Sequence, residues 1–293
     1  TLMTFCPGDP AEIILGSTAT EENLESLRQE LGLNQPFFVR LGTFLSDTFL
    51  HFDLGNSWAT GASVKDAILE RLPRTLILAT TMMAISFCIG VPLGIMAAIH
   101  QNQWQDNLCM TLALIGISIP NFWLALLLVL LFSVKLGWLP AMGIGGLQYY
   151  ILPALAGCTG GIATSARQTR SSMLDVIRSD YITTARAKGV PEHQVIIKHA
   201  LKNGMIPIIT VMGTHFGKML GGTMIIETIF SIPGMGQLII NAVNGRDYQV
   251  VQVGAAFLAI AFSFCMLAVD LLYAAVDPRI KAKYSSKGRK KVK

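Results

Sequence analysis

Long apolar runs alternate with short polar stretches over most of this chain. A helix that crosses a bilayer needs about 20 apolar residues. Four runs reach this length, at about 75–99, 108–134, 205–229 and 251–276. A fifth apolar run, over about 150–166, is shorter and rich in glycine, but Pro153 near its start suits the beginning of a helix. The pattern therefore predicts an all-α polytopic membrane bundle with five spans.

The composition agrees with this pattern. Only 14% of the residues are charged, 52% are hydrophobic, and the mean hydropathy is +0.52. Soluble domains usually carry about 25% charged residues. Much of this chain therefore faces lipid or other helices instead of water.

The positive charge lies in two segments, and it predicts the orientation of the spans. Residues 167–202 hold seven Lys and Arg residues, and residues 278–293 hold eight and no acid. The loops at 135–149 and 231–249 hold one each. Because Lys and Arg concentrate in cytoplasmic loops, both basic segments and the carboxyl end are expected inside the cell.

The amino-terminal region is expected outside. Five spans place residues 6–74 there, with ten acidic and five basic side chains. Such a region must be carried across the membrane, and residues 2–5 resemble the end of an apolar segment. We expect six spans in the full protein, with a missing first helix; a cleaved signal is the alternative.

The predicted organisation has three parts. Residues 1–74 contain the end of a first span and the external region, 75–276 form the membrane-spanning domain with a cytoplasmic loop at 167–204, and 277–293 form a basic cytoplasmic tail. We interpret the tail as an anchor that attracts anionic lipid. It lacks interleaved aromatic residues and follows a span directly, so we do not expect it to bind nucleic acid.

The basic segment at 167–204 has helix signals of its own. Ser179 or Asp180 can cap a helix that runs to Lys188. Gly189 suits the left-handed residue that ends such a helix. The pattern predicts a short cytoplasmic helix followed by a tight turn.

A second helix is expected after this turn. Pro191 and Glu192 suit its first turn, and we expect it to end at Pro207, where the next span begins. The helix–turn–helix is either a solvated connector or an element that docks on a partner and passes motion to the spans.

The amino-acid sequence of this segment resembles that of a known protein family. Residues 180–189 (DYITTARAKG), then 199–203 (HALKN) and Pro207, resemble the coupling loop of ATP-binding cassette importer permeases, in the peptide/nickel branch. The general family pattern has Glu-Ala-Ala before the glycine. Thr183, Thr184 and Ala185 stand at those positions, so the glutamate is absent.

The resemblance extends over nearly the whole chain. Each further motif is short, and together they are specific for the family. They lie at 7–10 (PGDP), 31–36 (LGLNQP), 53–57 (DLGNS), 71–76 (RLPRTL), 120–125 (PNFWLA), 136–140 (LGWLP), 227–236 (ETIFSIPGMG), 246–248 (RDY) and 277–279 (DPR).

The resemblance implies a transport subunit and not an enzyme. In this family the coupling loop fits a groove on an ATPase subunit. The implied partners are a second related permease, two ATPase subunits, an external solute-binding protein and membrane lipid, all at a bacterial inner membrane. The implied coupling residues are Ala185, Arg186, Lys188, Gly189, Glu192 and His199.

No nucleotide site is expected in this chain. Residues 213–219 contain Gly-Lys, but the P-loop spacing is wrong and Met219 replaces the Ser or Thr that would meet magnesium. ATP and magnesium are therefore expected on the partner ATPase subunits, and this chain is expected to hold no cofactor. No His, Cys and Glu residues have metal-site spacing, and no catalytic set stands out.

Ionisable residues inside the spans are candidates for the translocation pathway, because such residues usually face a cavity or a partner. His215, Lys218 and Glu227 are the predicted pathway-lining residues, and Asp270 lies near the internal end of the last span. Packing or pairing with the second permease is the alternative. Glycines at four-residue spacing, at 90–94 and 213–221, predict close helix packing, either static or at a moving seam.

The substrate and two other functions stay open. The resemblance permits dipeptides, oligopeptides or nickel, and residues 172–176 and 221–227 look more like the nickel members. A self-sufficient channel or secondary transporter would show internal repeats and a charged midplane site, and no clear repeat is visible. A membrane-embedded enzyme would show a catalytic constellation. Only the importer subunit should co-purify with ATPase subunits.

Overall fold

The computed structural model describes residues 9–16 and 19–276. Helix is the dominant structure there, which confirms the predicted all-α class. The predictions for the first eight residues and for the basic tail from residue 277 lie outside the described residues. The helices are α1 Pro10–Leu15, α2 Glu21–Glu30, α3 Phe37–Leu45, α4 Val64–Ile99, α5 Trp104–Ser118, α6 Asn121–Leu128, α7 Gln148–Gly157, α8 Thr159–Ile177, α9 Asp180–Ala187, α10 Glu192–Gln194, α11 Lys202–Gly222, α12 Met224–Ile229, α13 Met235–Asn244 and α14 Tyr248–Val276.

Three of these helices continue as π-helical turns. The turns follow α3, α6 and α10, at Ser46–Leu50, Val129–Lys135 and Val195–Leu201. The last of them joins α10 to α11, so one helix runs from Glu192 to Gly221. The expected break at Pro207 is therefore wrong. A proline inside a helix removes one backbone hydrogen bond, and this helix continues through that loss.

Three helices of the described residues are long and apolar enough to cross a membrane. They are Val64–Ile99, Glu192–Gly221 and Tyr248–Val269. A fourth span exists if Trp104–Ser118 and Asn121–Lys135, bent by 93°, count as one. The run predicted at 150–166 becomes α7 and α8, which do not meet this criterion. The fifth span stays a prediction.

A sharp bend between α5 and α6 lies within the span predicted at 108–134. Ile119 ends α5 in an extended conformation, as expected for a residue before proline. Pro120 then takes the N-cap position of α6. The apolar pattern alone did not reveal this break, because residues on both sides of it are equally apolar.

The chain divides into two compact units. The amino-terminal unit contains the residues up to 75 together with 233–259, and the central unit contains 76–232 and the residues from 260 onward. Residues 233–259, which hold α13 and the start of α14, group with the amino-terminal region. The three-part organisation inferred from the sequence stays a prediction.

Each unit has its own apolar core. In the amino-terminal unit, the start of α4 packs against α13 and the start of α14 through Val64, Ile68, Met235, Leu238 and Val253. The largest core of the central unit joins α4, α6, α7, α11 and α12. Its buried members are Leu78, Met82, Ala125, Leu152, Ala154, Ala156, Cys158, Met219, Ile226, Phe230 and Ile232.

Close helix contacts in the central unit depend on glycine. A Cβ atom at Gly90 or Gly94 would overlap atoms of α8, and one at Gly213 or Gly217 would overlap side chains of α14. Gly221 has open space around its Cα instead. In α11, Gly213 and Gly217 therefore lie at close helix contacts, whereas Gly221 does not. Small residues allow such close packing between membrane helices.

Candidate coupling site and polar junctions

The coupling segment, residues 180–201, forms two helical pieces joined by a tight turn, as predicted. The first piece is α9, and Gly189 follows it with φ +74°. Ser179 occupies the N-cap position of α9, but its hydroxyl donates to the Val176 carbonyl at 2.6 Å and does not cap the helix. A residue with a Cβ is strained at the left-handed conformation of Gly189.

The inner face of the coupling segment is apolar and buried. Ile182, Val195, Ile196 and Ala200 form one cluster with Met173 of α8. Ile182 has 0% exposure. Burying side chains of this size stabilises the contact by roughly 1.5–3 kcal/mol each. The segment is thus held rigidly on the central unit.

The outer face of the coupling segment is charged. Arg186 donates two hydrogen bonds to the Glu192 carboxylate, Nη2 to Oε1 at 2.7 Å and Nε to Oε2 at 3.1 Å. These hydrogen bonds raise the pKa of the Arg186 guanidinium, which stays charged. Lys188, Lys198 and His199 are exposed on the same segment. Such a surface is available to an acidic partner.

Of the six predicted coupling residues, five are exposed and one supports the fold. Arg186, Lys188, Gly189, Glu192 and His199 are exposed, whereas Ala185 is half-buried against the apolar cluster. The structure brings Arg186 and Glu192 together directly, which the sequence did not predict.

An ion pair between a buried carboxylate and a partly exposed guanidinium joins α5 to α8 in the central unit. The Asp106 carboxylate accepts from Arg170 Nε and Nη2, both at 2.6 Å, and from the Asn102 backbone amide at 3.0 Å. The Asp106 side chain is only 4% exposed. In the sequence, Arg170 counted only as one of the basic residues that set the orientation.

The three predicted pathway residues have different surroundings. Lys218 is exposed and His215 is half-buried, both on α11. Glu227 of α12 has 0% exposure, and its carboxylate accepts a hydrogen bond from the Thr223 hydroxyl at 3.0 Å. An enclosed carboxylate cannot touch a passing solute without movement of its surroundings, so pathway lining by these residues stays a prediction. The side chain of Asp270 lies outside the described residues.

Side chains that could bind a metal ion do not cluster in the part of the chain that the structure describes. Among residues 9–16 and 19–276, no group of three or more His, Cys, Asp or Glu side chains lies close enough to hold a metal ion.

Asp247 is the centre of a polar junction in the amino-terminal unit. Its buried carboxylate accepts from the Ser57 hydroxyl at 2.5 Å and from the backbone amides of Trp58 and Ala59 at 3.2 and 3.4 Å. It also accepts from the Val250 amide at 3.2 Å, so it caps α14. One carboxylate thereby ties the 53–57 motif to the 246–248 motif, 190 residues apart.

A second junction in the same unit joins the 71–76 motif to the 227–236 motif. The Thr75 hydroxyl accepts from the Met235 amide at 2.8 Å, at the start of α13. Arg74 donates from Nη1 to the Pro233 carbonyl at 3.2 Å. Hydrogen bonds to charged donors are stronger than neutral ones, so Arg74 fixes the turn before α13.

Sequence reasoning named these four motifs but did not pair them. One signal was present for Asp247, because an Asp directly before a long apolar helix is a favoured N-cap. No sequence signal indicated that Ser57 contacts Asp247 or that Thr75 contacts Met235. Hydrogen bonds between remote segments depend on the tertiary fold.

Comparison with known proteins agrees with this architecture. The family described as "Binding-protein-dependent transport system inner membrane component" matches residues 90–282, and its amino-terminal companion family matches residues 1–79. The coupling segment lies within the region matched by the main family, and the 53–57 motif lies within the region matched by the amino-terminal family.

Two relatives cover almost the whole chain. A Brucella abortus (strain 2308) protein named for a peptide transport system permease is 45% identical over 288 residues, covering 96% of this chain and 91% of the relative. The glutathione transport system permease protein of Escherichia coli (strain K12) is 44% identical over 277 residues, covering 94% and 90%.

Solved structures with low sequence identity share the fold. An inward-facing structure of the MetNI methionine ABC transporter matches with a TM-score of 0.62 and 19% identity, over 71% of this chain and 95% of that chain. An amino acid ABC transporter crystallised with histidines matches with a TM-score of 0.56 and 16% identity, over 72% and 94%. These likenesses concern the fold alone.

The chain belongs to the family of binding-protein-dependent transport system inner-membrane components. It is a multi-pass membrane permease subunit of an ATP-binding cassette importer, as the motifs predicted.

Proposed function

We propose that this chain is one of two permease subunits of an importer for short peptides in a bacterial inner membrane. ATP and magnesium bind on two separate ATPase subunits, and an external solute-binding protein delivers the peptide. The coupling segment and the carboxyl end lie in the cytoplasm, where the excess of Lys and Arg favours them.

The relatives support a peptide substrate. The Brucella abortus relative is named for peptide transport and the Escherichia coli relative for transport of glutathione, itself a tripeptide. The resemblance to nickel members at 172–176 and 221–227 has no counterpart in these names. We therefore propose peptides and not nickel.

The coupling segment is the observation that carries the proposal. Its inner face is fixed by Ile182, Val195 and Ile196, while Arg186, Lys188 and His199 remain exposed. A solvated connector has no need for a buried apolar anchor. A rigid, basic surface element is suited to transmit movement from a docked ATPase to the helices that are continuous with this element.

The pathway assignment is part of the same proposal. His215 and Lys218 lie on α11, which continues directly from the coupling segment without a break. A push on the coupling segment would therefore move both side chains with the helix. Glu227 would join the pathway only in a state in which its enclosure opens.

Replacement of Gly189 tests the coupling role. A Cβ at Gly189 would meet no atom within 4 Å, so a substitution there strains only the backbone. Gly189→Val should uncouple ATP hydrolysis from peptide uptake, because a β-branched residue is strongly disfavoured at positive φ. Gly189→Asn is the matched control, since Asn adopts the left-handed conformation readily.

The measurement is peptide uptake per ATP hydrolysed in liposomes that contain the complete transporter. Gly189→Val should lower this ratio severalfold with unchanged membrane insertion and subunit assembly, and Gly189→Asn should leave it near the original value. Equal uptake by the valine variant would contradict the docking role.

A further inference from the structure

An apolar stripe lies on the exposed surface of α3 and of the π-helical turn that follows it. The stripe consists of Phe38, Leu41, Leu45 and Phe49, which are spaced by three and four residues as on one face of a helix. Phe38 is 82% exposed, and the other three side chains are between 39% and 44% exposed. A contiguous exposed apolar surface marks contact with another protein or with a membrane.

The apolar exposure of the amino-terminal unit is concentrated at this helix. Elsewhere in the described part of the unit, large apolar side chains are exposed only singly, at Leu15, Leu69 and Val243. The preceding helix α2 exposes four glutamates and no large apolar side chain. The stripe is therefore a local property of α3 and not a general property of the surface around it.

The helix α3 has three sides of different character. On the inner side, Phe44 packs against the apolar cluster of the unit, and Thr48 is buried. On the polar side, Arg40, Thr43 and Asp47 line a depression together with the end of α2. At about 100° per residue, this polar side lies roughly opposite the stripe. A helix that lies in a membrane interface has such a division, with its apolar face towards the acyl chains and its polar face towards water.

The packing of α3 places it at the level where a span enters the bilayer. Phe44 packs against the cluster that contains Val253 of α14. The first turn of α14 carries Gln249 and Gln252, whereas residues 253–269 contain no charged, Asn, Gln or His side chain. The boundary between headgroups and hydrocarbon therefore falls near residue 253. The inner side of α3 is thus continuous with the outermost apolar turns of a membrane helix.

We propose that the apolar stripe of α3 lies in the lipid interface, in the leaflet where α14 begins. Phe38, Leu45 and Phe49 contact the upper part of the acyl chains, while Thr43 and Asp47 face water. Under the proposed orientation this is the outer leaflet. The inference requires that α14 spans the membrane, and it does not depend on which solute is transported.

Photo-crosslinking in the complete transporter tests what covers the stripe. The transporter is reconstituted in nanodiscs of phosphatidylethanolamine and phosphatidylglycerol, with its solute-binding protein present. A photoreactive p-benzoylphenylalanine replaces Phe38, Leu45 or Phe49 in separate variants. After illumination, mass spectrometry should find phospholipid attached to the peptides that contain these positions. The attachment should lie in the glycerol region or in the nearer half of the acyl chain, because interfacial helices enter the membrane by only about 5–10 Å.

The same photoreactive residue at Thr43 or Asp47 is the matched control. Both side chains are exposed on the same helix and lie on its polar side. These variants should yield severalfold fewer phospholipid adducts than the stripe variants, at equal assembly with the other subunits. Equal yields at the stripe and control positions would overturn the proposal.

The crosslinked product also identifies any other occupant of the stripe. Products joined mainly to the second permease subunit or to the solute-binding protein would show that the stripe is a protein interface, and the proposal would be wrong. Products joined mainly to the first eight residues of this chain would overturn it as well. So would lipid attachment confined to the ends of the acyl chains, or the absence of phospholipid adducts at all three stripe positions.

Discussion

The coupling segment and the Asp247 junction are held in place by opposite distributions of charge. The coupling segment buries Ile182 and its apolar neighbours and exposes Arg186 and Lys188. At the junction a carboxylate is buried, and neutral donors around Ser57 surround it. Apolar burial leaves charges free for a partner, whereas a buried carboxylate uses its charge to fix one internal geometry.

The difference predicts unequal responses to substitution. A buried polar group requires all of its partners, because each unsatisfied donor costs free energy. An apolar anchor loses stability in proportion to the atoms removed. An exposed ion pair is worth little to stability. We therefore expect the largest loss of stability at the Asp247 junction, a smaller loss at Ile182 and the smallest at the Arg186–Glu192 pair.

The largest effect is expected at the junction. Asp247→Ala leaves the Ser57 hydroxyl and three backbone amides without an acceptor, which should cost about 3 kcal/mol. Hydrogen exchange of the amides at 57–60 should report this loss as a lower free energy of local opening. Asp66→Ala, an exposed acid in the same unit, is the control and should cost no more than about 1 kcal/mol. Equal losses would show that the junction contributes no special stability.

A smaller effect is expected at the apolar anchor. Ile182→Ala removes a fully buried side chain from the edge of the central unit, so a loss near the low end of the usual range, about 2 kcal/mol, is expected. Hydrogen exchange in α9 should quicken, and peptide uptake per ATP should fall with it. The exposed neighbour Thr183→Ala should leave both unchanged. Unaltered exchange in the Ile182 variant would contradict a rigid anchor.

The smallest effect on stability is expected on the exposed face. Arg186→Gln breaks the pair with Glu192, and the stability should change by less than about 1 kcal/mol. Coupling should nevertheless suffer more than with Glu192→Gln, because only the first variant removes a docking charge. If both variants impair coupling equally, the pair acts through the fold and not through docking. Thermal unfolding and uptake per ATP, measured together, decide between these outcomes.

These contrasts also bear on Asp106 and Arg170. The Asp106 carboxylate is buried like that of Asp247, but its partner is a partly exposed arginine, so the pair joins two full charges. Breaking a buried pair strands a charge in a poorly solvated site. The helices α5 and α8 are therefore tied by electrostatics at one point and by apolar contacts, including Ala113 with Ala163, along the rest of their contact.

The sequence by itself determined the helical class, the membrane location and the coupling turn. These features depend on local signals: long apolar runs and a glycine suited to a left-handed position. The apolar pattern predicted a span at 108–134 but not its bend, because the chain turns by 93° at Pro120 between two apolar halves. The continuous helix through Pro207 was missed because a proline usually ends a helix, whereas this helix continues through it.

Only the tertiary structure decided which distant residues meet. The carboxylate of Asp247 reaches Ser57 across 190 residues of chain, and that of Asp106 reaches Arg170 across 64. Apolar periodicity reports how a residue relates to its near neighbours, whereas a polar contact between remote segments depends on how the whole chain folds.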